Sequence, residues 1–167
     1  MDVSIVIPGF NEADNIDKLR DELFPVVKQL AAQRSLEVIF VDDGSRDGTG
    51  DALEQAFGSR HFAESIGAQI RVVRHEQNRG LGAALRTGFA AACGDLVVTT
   101  DMDGTYKFDT IPALLNSLTS GLDIVTGSPY HPEGSVVGVP EYRLFFSKGS
   151  SMLYRMLVSR DLYCYTA

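Results

Sequence analysis

The sequence predicts an α/β fold, a Rossmann-like and mostly parallel sheet with helices on both faces. Three observations predict it. Short β-branched runs alternate with stretches of helical periodicity, the pattern of strands joined by right-handed helical crossovers. The strand runs are almost continuously apolar, as expected of strands covered on both faces. Several of them run straight into Pro, Gly, Asn or Asp, at the strand ends where open parallel sheets bind ligands.

The elements follow in order. Residues 3–7 (Val-Ser-Ile-Val-Ile) form a β-branched run ended by Pro8-Gly9, a buried strand. The stretch 10–15 is rich in helix-starting residues, and Ile16, Leu19, Leu23, Val26, Val27 and Leu30 then recur at helical spacing. Pro25 interrupts that pattern and should kink the helix or restart it near Phe24. Residues 36–41 form a second strand, running into Asp42-Asp43-Gly44-Ser45. A short helix is expected over 49–57, while 58–67 has no clear period and reads as loop. Residues 70–73 are a third strand. Asn78-Arg79-Gly80-Leu81-Gly82 opens a helix with Leu81, Leu85, Phe89 and Ala92 as its apolar face and Gly94 as its stop. A fourth strand, 96–100, leads into Asp101-Met102-Asp103-Gly104. A helix near 109–120 with a stripe of Ile111, Leu114, Leu115 and Leu118 follows, then a fifth strand at 122–125. Three prolines and three glycines make 127–140 an irregular loop. From Tyr142 to Arg160 the chain turns helical and basic, carrying Arg143, Lys148, Arg155 and Arg160 with no acid.

Composition narrows the function. The 167 residues carry 44% hydrophobic and 22% charged side chains, the balance of a globular domain with a real core. A net charge of −7 without a basic block argues against nucleic acid as a partner. Two cysteines, Cys93 and Cys164, form neither a disulfide framework nor a zinc pattern, and a reducing, cytoplasmic compartment fits them best. No signal peptide opens the chain, and no apolar run approaches the length of a membrane span.

The chemistry gathers at three strand ends: Pro8 to Glu12, Asp42-Asp43, and Asp101 to Asp103. A strand projects alternate side chains to one side, so Asp101 and Asp103 can converge on one point. Two hard oxygen ligands there suit Mg²⁺ or Mn²⁺, although Asp and Gly are also ordinary turn residues. Asp43 is a candidate acceptor for ring N–H or ribose hydroxyl donors. A helix cap is the competing use of Asp42 or Asp43, and one of the two is expected to serve so.

Two rival motifs fail on context. The turn after the first strand lacks the dinucleotide-binding glycine fingerprint, and Gly80-x-Gly82 is only part of one. Asp43 to Glu54 places oxygen ligands at calcium-loop positions, but an EF-hand requires a helix before the loop, and a strand precedes this one. His61, His75 and His131 share no metal spacing and read as surface or structural.

Together, the stretches Val3 to Glu12, Val41-Asp42-Asp43-Gly44-Ser45-Arg46-Asp47-Gly48-Thr49, Asn78-Arg79-Gly80-Leu81-Gly82, Gly94-Asp95 with Asp101-Met102-Asp103, and Asp123 to Ser128 resemble glycosyltransferase family 2. Within it, the chain is most similar to the polyprenol-phosphate sugar transferases. The resemblance implies a GT-A fold, a nucleotide-diphospho-sugar donor and a divalent metal, Mg²⁺ or Mn²⁺. It implies inverting transfer to an acceptor, most naturally a polyprenyl phosphate at the membrane surface. A binding domain without transfer activity and a saccharide acceptor stand as alternatives.

Carried over by position, Pro8, Phe10 and Glu12 correspond to the first nucleotide-contact turn. Val41 and Asp43 correspond to base and ribose contacts. Asp101 and Asp103 correspond to the metal and diphosphate site, with Met102 as a backbone contact. Arg143, with Lys148 close behind, corresponds to the basic contact to phosphate. The resemblance divides the chain into a nucleotide-sugar-binding core over 1–126 and an acceptor-side loop and basic amphipathic helix over 127–167. It also implies a peripheral membrane location and further sequence beyond residue 167. Pro129 stands where the family usually has Arg, so one positive charge near the donor or acceptor is missing.

Overall fold

The computed structural model describes residues 1–128 and 141–157; for Arg143, Lys148 and a few neighbours it describes the helical backbone alone. The chain divides into two compact units, Met1–Ser117 and Leu118–Ala167.

The first unit is the predicted α/β layer structure. Strands β1 (Val3–Gly9), β2 (Leu36–Asp42), β3 (Gln69–Arg74) and β4 (Leu96–Thr99) form a parallel sheet in the order β3-β2-β1-β4. The chain begins in the middle of the sheet and crosses over to each side, so the carboxyl ends of β1, β2 and β4 lie side by side. Register pairs Pro8 with Val41 and Gly9 with Asp42.

Both faces are covered. On one face Val3, Ile5, Ile7, Val38 and Phe40 enter the main core. Opposite them pack the helical elements α1 (Ile16–Lys18), α2 (Phe24–Ala31), α3 (Thr49–Phe57), α4 (Arg60–Ile66) and α6 (Ile111–Ser117). Phe24, Phe40, Phe57 and Phe62 form an aromatic cluster there, with Phe24 edge-on to Phe62 at 4.8 Å. On the other face Val6, Ile39 and Val41 meet Ala84 of α5 (Leu81–Ala91).

Pro25 acts as expected. A π-helical turn, Leu19–Leu23, runs directly into α2 with Pro25 in the first turn of α2, so the helix changes form at the proline and continues.

Three expectations are corrected. The segment read as loop at 58–67 contains α4. Ser59 caps it by accepting the Phe62 N–H, and Gly67 closes it at φ 77°. Its two apolar anchors, Phe62 and Ile66, make one i, i+4 pair, too little for a periodicity signal. The face of α5 is also different: Ala83, Ala84 and Gly88 are buried, while Leu81 is 61% and Phe89 49% exposed. The helix lies too close to the sheet for large side chains, since a Cβ on Gly88 would fall 2.2 Å from Val6 Cγ1. Finally, residues 122–125 form no strand, and Leu122 and Ile124 are exposed.

The second unit contains α7 (Glu141–Leu157), so the helical reading from Tyr142 holds as far as Leu157. The expected loop at 127–140 lies outside the described residues beyond Ser128, as does Pro129.

Among the described residues no helix is long and apolar enough to cross a membrane.

Candidate active site

Hydrogen bonds between loops assemble the site before any ligand is considered. The turn after β1 is latched to the loop after β2. Asn11 N–H donates to Ser45 Oγ (2.9 Å), Glu12 N–H to Thr49 Oγ1 (2.8 Å) and Ala13 N–H to Asp47 Oδ2 (3.1 Å). Arg46 N–H returns a bond to Asn11 Oδ1 (2.9 Å). Asn11 takes the left-handed conformation, φ 59°, that brings both its groups to this latch. The polar run Ser45 to Thr49 is therefore spent on holding the β1 turn in place.

The two acids after β2 divide their work, and neither caps α3, whose N-cap is Gly48 without a side-chain bond. Asp42, buried, accepts Ser45 N–H at 3.0 Å and faces Arg74 Nε at 3.5 Å. Asp43 reaches across to the approach to α5. Its Oδ1 accepts from Arg79 N–H (3.0 Å) and pairs with His75 Nδ1 (2.6 Å); its Oδ2 accepts from Gly80 N–H (2.7 Å). Burial alone would push this carboxyl up. The hydrogen bonds from His75, Arg79 and Gly80 and the nearby imidazole outweigh that and hold it below the usual carboxylate range. Gly44 makes the approach possible: at φ 73°, a Cβ there would meet the Gln77 carbonyl carbon at 2.3 Å.

Asp101-Met102-Asp103 forms the third wall. Met102 is buried in the core, its side chain against Gly9, so only its backbone is available to a ligand. Asp103 accepts Thr105 N–H and Thr105 Oγ1–H, both at 2.8 Å, and its carbonyl accepts from Lys18 Nζ at 2.6 Å. Loss of hydration and the Asp103 charge push the Asp101 carboxyl up. Glu12 is pushed up too, first by desolvation and then, against a bond from Asn15, by Asp103, Asp47 and Asp101.

These walls enclose a cleft of about 240 Å³ lined by Pro8, Gly9, Phe10, Glu12, Asp43, Asn78, Leu81, Ala84, Asp101, Met102 and Asp103. The sequence-predicted residues Pro8, Phe10, Glu12, Asp43, Asp101, Met102 and Asp103 all meet there. Val41 does not: its side chain is fully buried between the sheet and α5. The side chains of Arg143 and Lys148 lie outside the described residues.

Three contributors were missed. Asn78 and Leu81 lie in the Asn78-to-Gly82 motif, which the sequence reading gives no site role, and His75 reads from the sequence as surface or structural. Its position just past the end of β3 was the available signal, since that is where the other site residues sit.

Four carboxylates line the cleft, with no Lys or Arg among the lining residues. Among the described residues no three His, Cys, Asp or Glu side chains form a ready-made metal cage. Two aspartates with open coordination positions nonetheless suit a hard divalent ion that keeps waters or takes ligand oxygens.

The family model of glycosyl transferase family 2 matches residues 4–163. The dolichol-phosphate mannosyltransferase of Pyrococcus furiosus is 32% identical over 160 residues, 96% of this chain and 42% of that protein. The polyprenol monophosphomannose synthase of Mycolicibacterium smegmatis is 28% identical, covering 98% of this chain and 58% of its own length. This chain thus spans less than two thirds of these curated relatives. Among solved structures, the mannosyltransferase PcManGT of Pyrobaculum calidifontis, in complex with GDP-Man and Mn²⁺, superposes with a TM-score of 0.53 at 29% identity. That likeness covers 71% of this chain and 32% of PcManGT. The α/β, GT-A reading of the fold holds. On the family match, the order of its motifs and the cleft they build, the chain belongs to glycosyl transferase family 2.

Proposed function

We propose that this chain forms the nucleotide-sugar-binding part of a metal-dependent, inverting glycosyltransferase whose acceptor is a polyprenyl phosphate. One observation carries the reading: an acidic cleft at the carboxyl ends of β1, β2 and β4, lined by four carboxylates and no lysine or arginine. A diphosphate would be repelled by that lining on its own. A divalent cation held by Asp101 and Asp103 would reverse the local field, in which desolvation first and then acidic neighbours push the Asp101 and Glu12 carboxyls up. Bound there, Mg²⁺ or Mn²⁺ would neutralise the leaving diphosphate as a Lewis acid.

The chain's own residues supply the rest. Pro8 and the half-exposed Phe10 form an apolar wall for the nucleoside. Asp43, held ionised, accepts from a base or ribose donor, and the Met102 backbone lies beside the diphosphate. Arg143 and Lys148 are the candidate cations for phosphate, of the donor or of the acceptor. A lipid phosphate is already an anion, so its oxygen can attack the anomeric carbon as the bond to the diphosphate breaks. No strong general base is needed, and none lines the cleft apart from the carboxylates. The names of the relatives, which concern dolichol-phosphate and polyprenol carriers, support this acceptor and with it a place of action at a membrane surface.

Titration calorimetry with GDP and UDP, with and without Mn²⁺, tests the site. Metal-dependent binding of one nucleotide, lost in Asp101→Ala/Asp103→Ala, is the expected result. Binding indifferent to both metal and substitution would refute the metal site. Transfer of sugar from the matching donor to a short-chain polyprenyl phosphate tests the acceptor.

A further inference from the structure

We infer that His75 is a positioning residue that holds the plane of the Asp43 carboxylate so that one oxygen keeps an open acceptor position for the nucleoside. The inference rests on the proposed nucleotide site and extends it to a residue outside the reacting groups.

His75 lies just past β3 and is pinned on three sides. Its N–H donates to the Asp42 carbonyl (2.9 Å), its Nδ1 meets Asp43 Oδ1 (2.6 Å), and its Nε2 meets Thr87 Oγ1 on α5 (2.9 Å). The His75 and Asp43 side chains are 6% and 4% exposed. An ionised carboxylate only accepts, so Nδ1 carries the proton, and Thr87, able to donate or accept, serves Nε2 in either form of the ring.

Each carboxylate oxygen has room for about two donors. Oδ1 of Asp43 has two, from His75 and Arg79, and is full. Oδ2 has one, from Gly80, and keeps an open position. Asp43 lines the cleft, so Oδ2 is the atom left for a ligand N–H or O–H. Arg79, in the loop, and Gly80, at the N-cap of α5, give one backbone N–H to each oxygen and cannot by themselves prevent the carboxylate plane from tilting. The buried imidazole, tied to both Asp43 and α5, does. Without it, Oδ1 would have a vacant acceptor position, and the carboxylate plane would no longer be held with its open position toward the cleft.

Asn and Gln test this, because each preserves one bond. In His75→Asn the amide nitrogen takes the place of Nδ1 and keeps Asp43 in position. In His75→Gln it takes the place of Nε2, keeps Thr87 and abandons Asp43. Binding of GDP and UDP is measured by calorimetry in Mn²⁺ and in EDTA, with unfolding midpoints for each variant.

For the nucleotide that wild type binds, His75→Asn should stay within about threefold, and His75→Gln should weaken binding about tenfold, the size of one lost charge-assisted bond. The ratio of affinities with and without Mn²⁺ should be unchanged in both, whereas Asp101→Ala collapses it. Equal losses in the Asn and Gln variants, or wild-type binding by His75→Gln, overturn the inference while leaving the site reading intact. A wild-type protein that binds neither nucleotide overturns the site reading, and the inference with it.

Discussion

Gly88 is the residue on which the seating of α5 turns, and Gly88→Ala tests it. An alanine in a helix interior ordinarily gains about 1 kcal/mol over glycine. Here the added Cβ would lie 2.2 Å from Val6 Cγ1 and 3.3 Å from Val41 Cγ2. Normal carbon–carbon contact is roughly 3.5–4 Å, so Val6 or the helix must move by more than an ångström. Val6 is fully buried and β-branched, with few rotamers to retreat into, so the helix moves. Overpacking of this kind costs about 1–3 kcal/mol, and the overlap places it at the upper end. Set against the helix gain, the net loss is about 1–2 kcal/mol. Gly82→Ala is the internal control. Nothing lies within 4 Å of its added Cβ, so that variant should gain up to about 1 kcal/mol. Urea unfolding followed by circular dichroism measures both. The damage should also reach the cleft, because Gly80 at the start of α5 donates to Asp43; nucleotide affinity should fall several-fold in Gly88→Ala and not in Gly82→Ala. A Gly88→Ala protein at least as stable as wild type would refute the close packing and the reason given for the small inner face of α5.

Other outcomes follow from the same geometry. In metal-free buffer, Asp101→Asn should stabilise the fold at pH 7 by about 0.5 kcal/mol, because it removes a charge that has lost part of its hydration and that Asp103 repels, an effect largely screened at this half-exposed position. The Asp101 carboxyl is pushed up in the folded state, so that gain should shrink as pH falls through its folded value and vanish below the ordinary carboxylate range; Mn²⁺ should stabilise wild type and not the variant. Glu37, buried on β2 beside Ser4 of β1, accepts from Ser4 Oγ and Cys93 N–H at 2.6 Å and from Arg71 at 2.5 Å. Burial opposes its charge, but these bonds prevail and hold its carboxyl low, so Glu37→Gln should cost about 1–3 kcal/mol at pH 7. That cost should fade as acid protonates the native glutamate, and urea titrations at several pH values would show it. Gly44→Ala combines a left-handed φ of 73° with a backbone clash at 2.3 Å. It should cost about 2 kcal/mol or more and weaken nucleotide binding, measured by thermal unfolding and calorimetry.

By itself the sequence determined the layer architecture and the location of the cleft. Alternating apolar runs and helical stripes carry the sheet, since burial on both faces leaves a pattern in neighbouring residues. Pro8 to Glu12, Asp42-Asp43 and Asp101 to Asp103 were legible because each sits where a strand runs out of apolar residues, and parallel strands bring such ends together. Tertiary structure alone decided what contact between distant residues decides. The inner face of α5 is small, against its hydrophobic stripe, because Gly88 must lie against Val6. Val41 sits in the core rather than the cleft because its side chain points to the α5 face. Ser45 and Asp47 are latches on the β1 turn, Ser4 and Glu37 a buried polar pair, and His75 the clamp on Asp43. Each of these roles depends on a hydrogen bond spanning more than thirty residues of chain. Local periodicity carries no trace of such a partner, whereas the folded sheet sets the two side by side.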